Sequence, residues 1–254
     1  MKPRVGLIAC DSIWEPLRSA HGDYADMYGA LLRAAGADVD LETYAAHRGE
    51  LPDSVSDCAA WLISGSRAAV YDESLPWIAG LAQFARAAHA AGRPQVGICF
   101  GHQLLAHALG GRTEPASEGW GIGNIEVRLR ATPYGAPPRT TLKLFMAHQD
   151  QVTRLPPGAL WLAEAAHCPH AAFALDDCVL GIQPHPEFTA AFMRDMTLEG
   201  SFRLPPARRA AALASYVEPV DNDSVGPWLA DFLRLRPRAE SDTWARWQTA
   251  GGLF

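Results

Sequence analysis

At 254 residues and 27.4 kDa, with 48% hydrophobic and 20% charged residues, the chain has the composition of one large globular domain, or of one domain with an appendage. A formal charge of −6 excludes the basic footprint that nucleic acid or an anionic membrane surface requires, so a small molecule is the expected partner. No run approaches a transmembrane length, the first apolar run is too short for a secretion signal, and five scattered cysteines without a CxxC pair support neither a disulfide framework nor a thiolate metal site. A cytoplasmic protein without metal is expected.

From the N-terminus, "RVGLIAC" (4–10) reads as a buried strand, and "YADMYGALLRAAG" (24–36) as a helix with Met27, Leu31 and Ala35 on one face and Gly36 as its stop. "ADVDLETY" (37–44), "CAAWLISG" (58–65) and "PQVGICF" (94–100) follow as strands, with a proline-opened helix over 76–92. This alternation specifies a parallel sheet with right-handed crossovers. Beyond Gly111, strand-like runs at 123–130, 141–148, 159–167, 170–175 and 178–185 are punctuated by Gly, Pro and Asp, so this half is expected to be partly antiparallel. "GWGIG" (119–123) reads as a turn that admits close backbone approach. From Thr189 the pattern is helical again through "TAAFMRDMTLEG", "PPARRAAALASYV" and "VGPWLADFLRL". No repeat or low-complexity linker divides the chain, and residues 201–254 read as a helical extension packed on a domain of residues 1–200.

Cys99 stands where an apolar strand gives way to a helical segment, flanked by Gly97 and Gly101. Two readings fit. Free cysteine is among the most buried residue types, so a strand-end cysteine can simply pack the core. On a strand-to-helix elbow it is instead a nucleophile: glycines clear its surroundings, and the N-terminal N–H groups of the helix favour a thiolate. A nucleophilic cysteine needs a base, and the base an orienting group. "GIQPHPEF" (181–188) places His185 and Glu187 at the end of another apolar run. Two apart on extended backbone, they project to the same side, so Glu187 can hold one imidazole nitrogen while the other faces Cys99.

"GICFGHQLL" resembles the nucleophile motif of class I, triad-type glutamine amidotransferases, with Gly97, Cys99, Gly101 and Gln103 in place, and "HPEF" resembles that family's His-Pro-Glu motif. The resemblance implies an α/β fold with a flavodoxin-like, mostly parallel sheet flanked by helices. The strand-rich stretch after Gly111 would be an antiparallel insertion, and the last helices an appended C-terminal segment. It further implies a Cys99–His185–Glu187 triad and cleavage of a γ-glutamyl amide, glutamine to glutamate and ammonia, through a cysteine thioester. "LISGSRAAVYD" (62–72) stands where the family has a glycine turn, more usually Pro-Gly-Gly. This implies an oxyanion hole from the Gly65 and Ser66 backbone with the Phe100 N–H, and Ser66 also at the substrate. Gln103 would face the glutamyl group. "MAHQDQVTRLP" (146–156) is similar to the His-x-Asp-x-Val segment of the amidotransferase part of guanylate synthetases, which implies that His148, Gln149 and Asp150 surround the α-amino and α-carboxylate groups. Ordinary alternatives are a solvent-facing helical Gln103 and a polar hairpin turn at 149–150.

Other attractive residues carry less. "HCPH" (167–170) lacks further ligands at zinc spacing and reads as a strand-turn-strand segment. His102 and His107, five apart, share no helical face. No GxGxxG in strand-to-helix context and no Walker loop occurs, so no nucleotide cofactor is expected. About fifty residues beyond the triad region is too short for a second catalytic domain, so ammonia would pass to a separate synthetase subunit. Alternatively, "GDYADMYGALL" (22–32) and "SRAAVYDESLPWI" (66–78) resemble stand-alone members, a group that includes γ-glutamyl peptidases. A non-catalytic binding or regulatory subunit is the reading from another class, and the intact Cys99, His185 and Glu187 argue against it. Trp228, Trp244 and Trp247 in the C-terminal segment would cover the domain or face a partner, a second copy included.

Overall fold

The computed structural model describes residues 2–131, 139–200 and 203–235. Its N-terminal half runs β1 (Arg4–Ile8), α1 (Leu17–His21), α2 (Tyr24–Ala34), β2 (Asp40–Tyr44), β3 (Ala60–Ile63), α3 (Pro76–Ala90), β4 (Gln95–Ile98) and α4 (Phe100–Ala108). Every residue of β3 and β4 is buried, as a strand covered on both faces requires. Alternate side chains divide between two apolar clusters: Leu7 and Leu62 join one, Ile8, Trp61 and Ile63 the other. Helix α2 opens on a capping box between Asp23 and Asp26. It closes where Gly36, at φ 76°, lets the Ala37 N–H return to the Leu32 carbonyl. That return delays the second strand to Asp40, three residues later than the sequence pattern predicts.

The second half supplies β5 (Arg112–Pro115), β6 (Gly121–Leu129), β7 (Thr141–His148), β8 (Asp150–Arg154), β9 (Leu160–Glu164), β10 (Ala172–Leu175), β11 (Val179–Ile182), α5 (Ala190–Leu198), α6 (Pro206–Ser215) and α7 (Asn222–Phe232). Nine strands form one mixed sheet in the order β2-β1-β3-β4-β11-β10-β9-β6-β7. Pairings from β2 to β11 are parallel, and those from β11 to β7 are antiparallel. Helices flank the sheet, so the expected α/β architecture is the observed one. Gly121 to Gly123, expected as a turn, instead begin β6, with Gly121 opposite His148. Close approach is nevertheless the reason for glycine there, since a Cβ on Gly121 would meet the His167 ring at 2.4 Å. Strands β5 and β8 form a separate antiparallel ribbon. Their polar sequences, RTEP and DQVTR, have no apolar alternation by which to recognise them.

Helix α7 buries Val225, Trp228, Leu229 and Phe232 in the same cluster as Tyr28 of α2, and Gly226 lets it approach Leu31, whose Cδ1 would be 3.2 Å from an added Cβ. Trp228 is thus core; Trp244 and Trp247 lie outside the described residues. Two buried histidines tie stability to pH. Burial lowers the pKa of His102, packed on Phe173, and of His148 to about 3. The unfolded chain takes up these protons near pH 6.5 and the folded chain does not, so their contribution is complete above 6.5 and is lost progressively towards 3. Urea midpoints are expected to fall between pH 7 and 4 with up to about two protons bound on unfolding, and His102→Asn is expected to remove about one of them from the slope.

Candidate active site

Gly65, Cys99 and His185 each follow the C-terminal end of a parallel strand, namely β3, β4 and β11, which are neighbours in the sheet. Parallel strands present their C-terminal ends at one edge, where ligands of such sheets bind. Residues far apart in sequence therefore meet there, with Ile63, Gly97 and Gly181 in one cross-strand row.

Cys99 has φ 53° and ψ −103° between β4 and α4, a conformation that costs a residue with a Cβ about 1–3 kcal/mol. Hydrogen bonds on either side hold it: Cys99 N–H donates to Ile182 O at 2.9 Å, and Gly101 N–H to Ser64 O at 3.2 Å. The Phe100 N–H lies between these two as the first donor of α4, where a helix offers no internal acceptor. Helix α4 lies on the sheet at backbone contact. A Cβ on Gly97 would sit 2.4 Å from the Gly101 carbonyl group, and one on Gly101 2.3 Å from Ile63 O.

His185 is buried, its Nδ1–H donating to Glu187 Oε1 at 2.7 Å and its ring stacked on Phe188 at 4.1 Å. Burial opposes the imidazolium, but the charges of Glu187 and Cys99 beside it, with the Glu187 hydrogen bond, outweigh it and raise the His185 pKa to about 10. Tyr28, which the sequence reading passed over, donates its hydroxyl to the same Glu187 Oε1 at 2.9 Å. Burial first, then the Glu187 charge, keeps this phenol protonated and a donor. In the sequence Tyr28 had no signal beyond lying on a buried helix face. Tyr24 stacks on it at 6.1 Å.

A cavity of about 510 Å³ opens over Cys99 and His185. Ser66, Gln103, His148, Gln149 and Asp150 all line it. Gln103 is 4% exposed rather than solvent-facing, and its amide nitrogen donates to Asp150 O at 2.7 Å and Gln183 Oε1 at 3.1 Å. His148 Nδ1 donates to Asp150 O at 3.0 Å, so the neutral ring keeps Nε2 as an acceptor. Asp150 takes a hydrogen bond from Tyr71 Oη at 2.9 Å; burial raises its carboxyl pKa and that bond opposes the rise. The Ser66 hydroxyl accepts from Ala68 N–H at 3.1 Å. At Gly65 an added Cβ would lie 3.1 Å from His185 Cε1 and 3.8 Å from Cys99 Cβ, so this backbone faces both. Among the described residues, "HCPH" included, no group of three or more His, Cys, Asp or Glu could hold a metal ion.

The family model described as glutamine amidotransferase class-I matches residues 23–203, a stretch that includes Gly65, Cys99, His185 and Glu187. A glutamine amidotransferase-like protein of Schizosaccharomyces pombe is 27% identical over 250 residues, covering 92% of this chain and 99% of that protein. Gamma-glutamyl peptidase 4 of Arabidopsis thaliana is 28% identical over 187 residues, 70% of this chain and 73% of that one. A GMP synthase of Thermomicrobium roseum is 39% identical over 127 residues, half of this chain but only 23% of the synthase. The fold is also that of a solved glutamine amidotransferase from Thermotoga maritima, with a TM-score of 0.73 at 19% identity over 92% of this chain and 98% of that one. Sequence over most of the length and fold over nearly all of it agree: the chain belongs to the class-I glutamine amidotransferase family.

Proposed function

We propose that this protein hydrolyses a γ-glutamyl amide through a thioester on Cys99, with His185 as proton carrier and Glu187 as its orienting group. The observation that carries this reading is Cys99 itself, held at φ 53° beneath the cavity, where it shares the Gly65 backbone as a neighbour with a histidine whose Nδ1 is fixed by a buried carboxylate. Cys99 gives its proton to His185, whose raised pKa retains it, and the sulfur attacks the γ-carbonyl carbon. The Gly65 and Phe100 N–H groups face the oxygen on which charge develops. The C–N bond breaks as His185 protonates the departing amine. Water, deprotonated by His185, then cleaves the thioester, releasing glutamate and restoring the thiol.

In this reading Gln103, His148, Gln149, Asp150 and Ser66 hold the zwitterionic end of the glutamyl group, where an unpaired buried charge would be costly. Gln103 offers its carbonyl oxygen, because its nitrogen is already spent. Residues 1–200 are read as the catalytic domain and 201–254 as its covering extension. With glutamine as substrate the amine is ammonia, to be released or passed to a separate synthetase; with a γ-glutamyl peptide it is an amino acid or peptide. The test is glutamate release by the purified protein from glutamine and from γ-glutamyl peptides, together with covalent labelling by a glutamine-mimicking electrophile. No release and no label on Cys99 would sink the reading.

Two substitutions probe the support around the triad. Tyr28→Phe removes a hydrogen bond to a buried carboxylate and is expected to lower kcat about tenfold with KM unchanged, since it touches only the group that orients His185. Gly65→Ala pushes on the His185 ring from 3.1 Å. Steady-state rates are expected to fall about 10²-fold while the thermal midpoint moves little, a dissociation that a packing defect would not produce.

A further inference from the structure

Resting on the hydrolase reading, we infer that the departing amine is not ammonia but an uncharged apolar body, and that the preferred substrate is a γ-glutamyl amide of an arylalkyl or similar amine. Capacity is the first observation. At about 30 Å³ for each non-hydrogen atom, a water's share of liquid volume, a 510 Å³ cavity holds about seventeen such atoms, whereas glutamine has ten.

The lining is the second. Its polar residues are bound together through Asp150, which meets Gln103, His148 and Tyr71. Another part of the wall is of a different kind: Ile13, Phe188 and Met196 belong to one apolar cluster with Trp14 packed against it, and Phe188 lies flat on the His185 ring. A zwitterionic glutamyl end satisfies the first group and has nothing to give the second. Ammonia, which consists of polar hydrogens around one nitrogen, has nothing to give it either.

Charge on this wall is the third observation. Asp11 and Arg67 both line the cavity, and they neutralise each other through a two-pronged pair with both N···O distances 2.8 Å. The guanidinium is carried over the Trp14 ring at 5.3 Å. The forked pair offsets the two charges, so this part of the wall carries little net charge toward a departing amine. Trp14, stacked with Arg67, contributes an aromatic surface to the cavity wall. An amine with a neutral ring or chain covers that surface, and the amine leaves with the proton from His185 as the C–N bond breaks.

Three substrates test this: L-glutamine, γ-glutamylglycine and γ-glutamyl-phenethylamide, each assayed by glutamate release with the full-length protein. Expected is a kcat/KM for the phenethylamide about tenfold or more above both others, and a ratio brought close to one in Trp14→Ala. Glutamine or γ-glutamylglycine equal to or better than the phenethylamide would overturn the inference and leave the thioester hydrolase standing. An undiminished ratio in Trp14→Ala would overturn it as well, and a misfolded variant cannot mimic the expected result because it lowers all rates alike. Failure of all three substrates, with Cys99 unlabelled, would remove the hydrolase reading and this inference together.

Discussion

Replacing Cys99 by alanine is expected to lower glutamate release by about 10⁴-fold or more and to abolish covalent labelling, with little change in fold. In the proposed chemistry the sulfur forms the bond that the whole site serves. His185 and Glu187 have no other nucleophile to act on, and what remains is the rate contributed by holding the amide near polar groups. A consequence follows for pairs of mutations: Cys99→Ala combined with His185→Gln should cost no more than Cys99→Ala alone, because the two residues act as one unit. Alanine keeps a Cβ at φ 53°, so the backbone strain persists and the variant reports on the sulfur alone. Labelling should be selective in the unsubstituted protein. Cys10, Cys58, Cys168 and Cys178 are buried, and burial raises the pKa of each thiol. Intact labelling of Cys99→Ala would place the nucleophile elsewhere.

Gly97→Ala is expected to cost about 3 kcal/mol or more of stability, a fall of about 6–12 °C in thermal midpoint. The added methyl would lie 2.4 Å from the carbonyl carbon and oxygen of Gly101 and 2.7 Å from the His102 nitrogen. All of these are backbone atoms at the start of α4, so no rotamer change relieves the clash. The helix would have to lift off the sheet, carrying Phe100 and Cys99 with it. Gly80→Ala in α3 is the control. There the new Cβ meets only the methyl end of Leu51 at 3.2 Å, and exchanging glycine for alanine inside a helix is neutral or gains up to about 1 kcal/mol. Calorimetry on the two variants separates a forbidden approach from the general effect of adding a methyl.

The parallel half of the fold was readable because its strands are short apolar runs stopped by glycine or proline and separated by helical periods. Cys99 and His185 were candidates because each follows the end of such a run, whereas Gly65 was singled out only through the family resemblance. Tyr28 was not readable: a tyrosine on the buried face of a helix looks like core until Glu187 is seen 2.9 Å away. Strands β5 and β8 were hidden by their polar composition, and so was the Tyr71–Asp150 hydrogen bond, whose partners lie on separate segments. The extra carboxylate contacts at this site are tertiary facts. Local propensity and periodicity carry no information about them.

Strand β11 lies in the middle of the sheet and is the last strand in sequence among the described residues. Its parallel neighbour β4 is synthesised about eighty residues earlier, and such distant pairings are slow to close. A nascent chain that stops short of β11 contains Cys99 but lacks the Ile182 carbonyl that fixes its N–H, as well as His185 and Glu187. Pairing of β11 with β4 therefore brings the Cys99 backbone contact and the proposed base to the same strand end. In the proposed chemistry, a half-made chain on the ribosome has the cysteine without the groups that would make it a nucleophile.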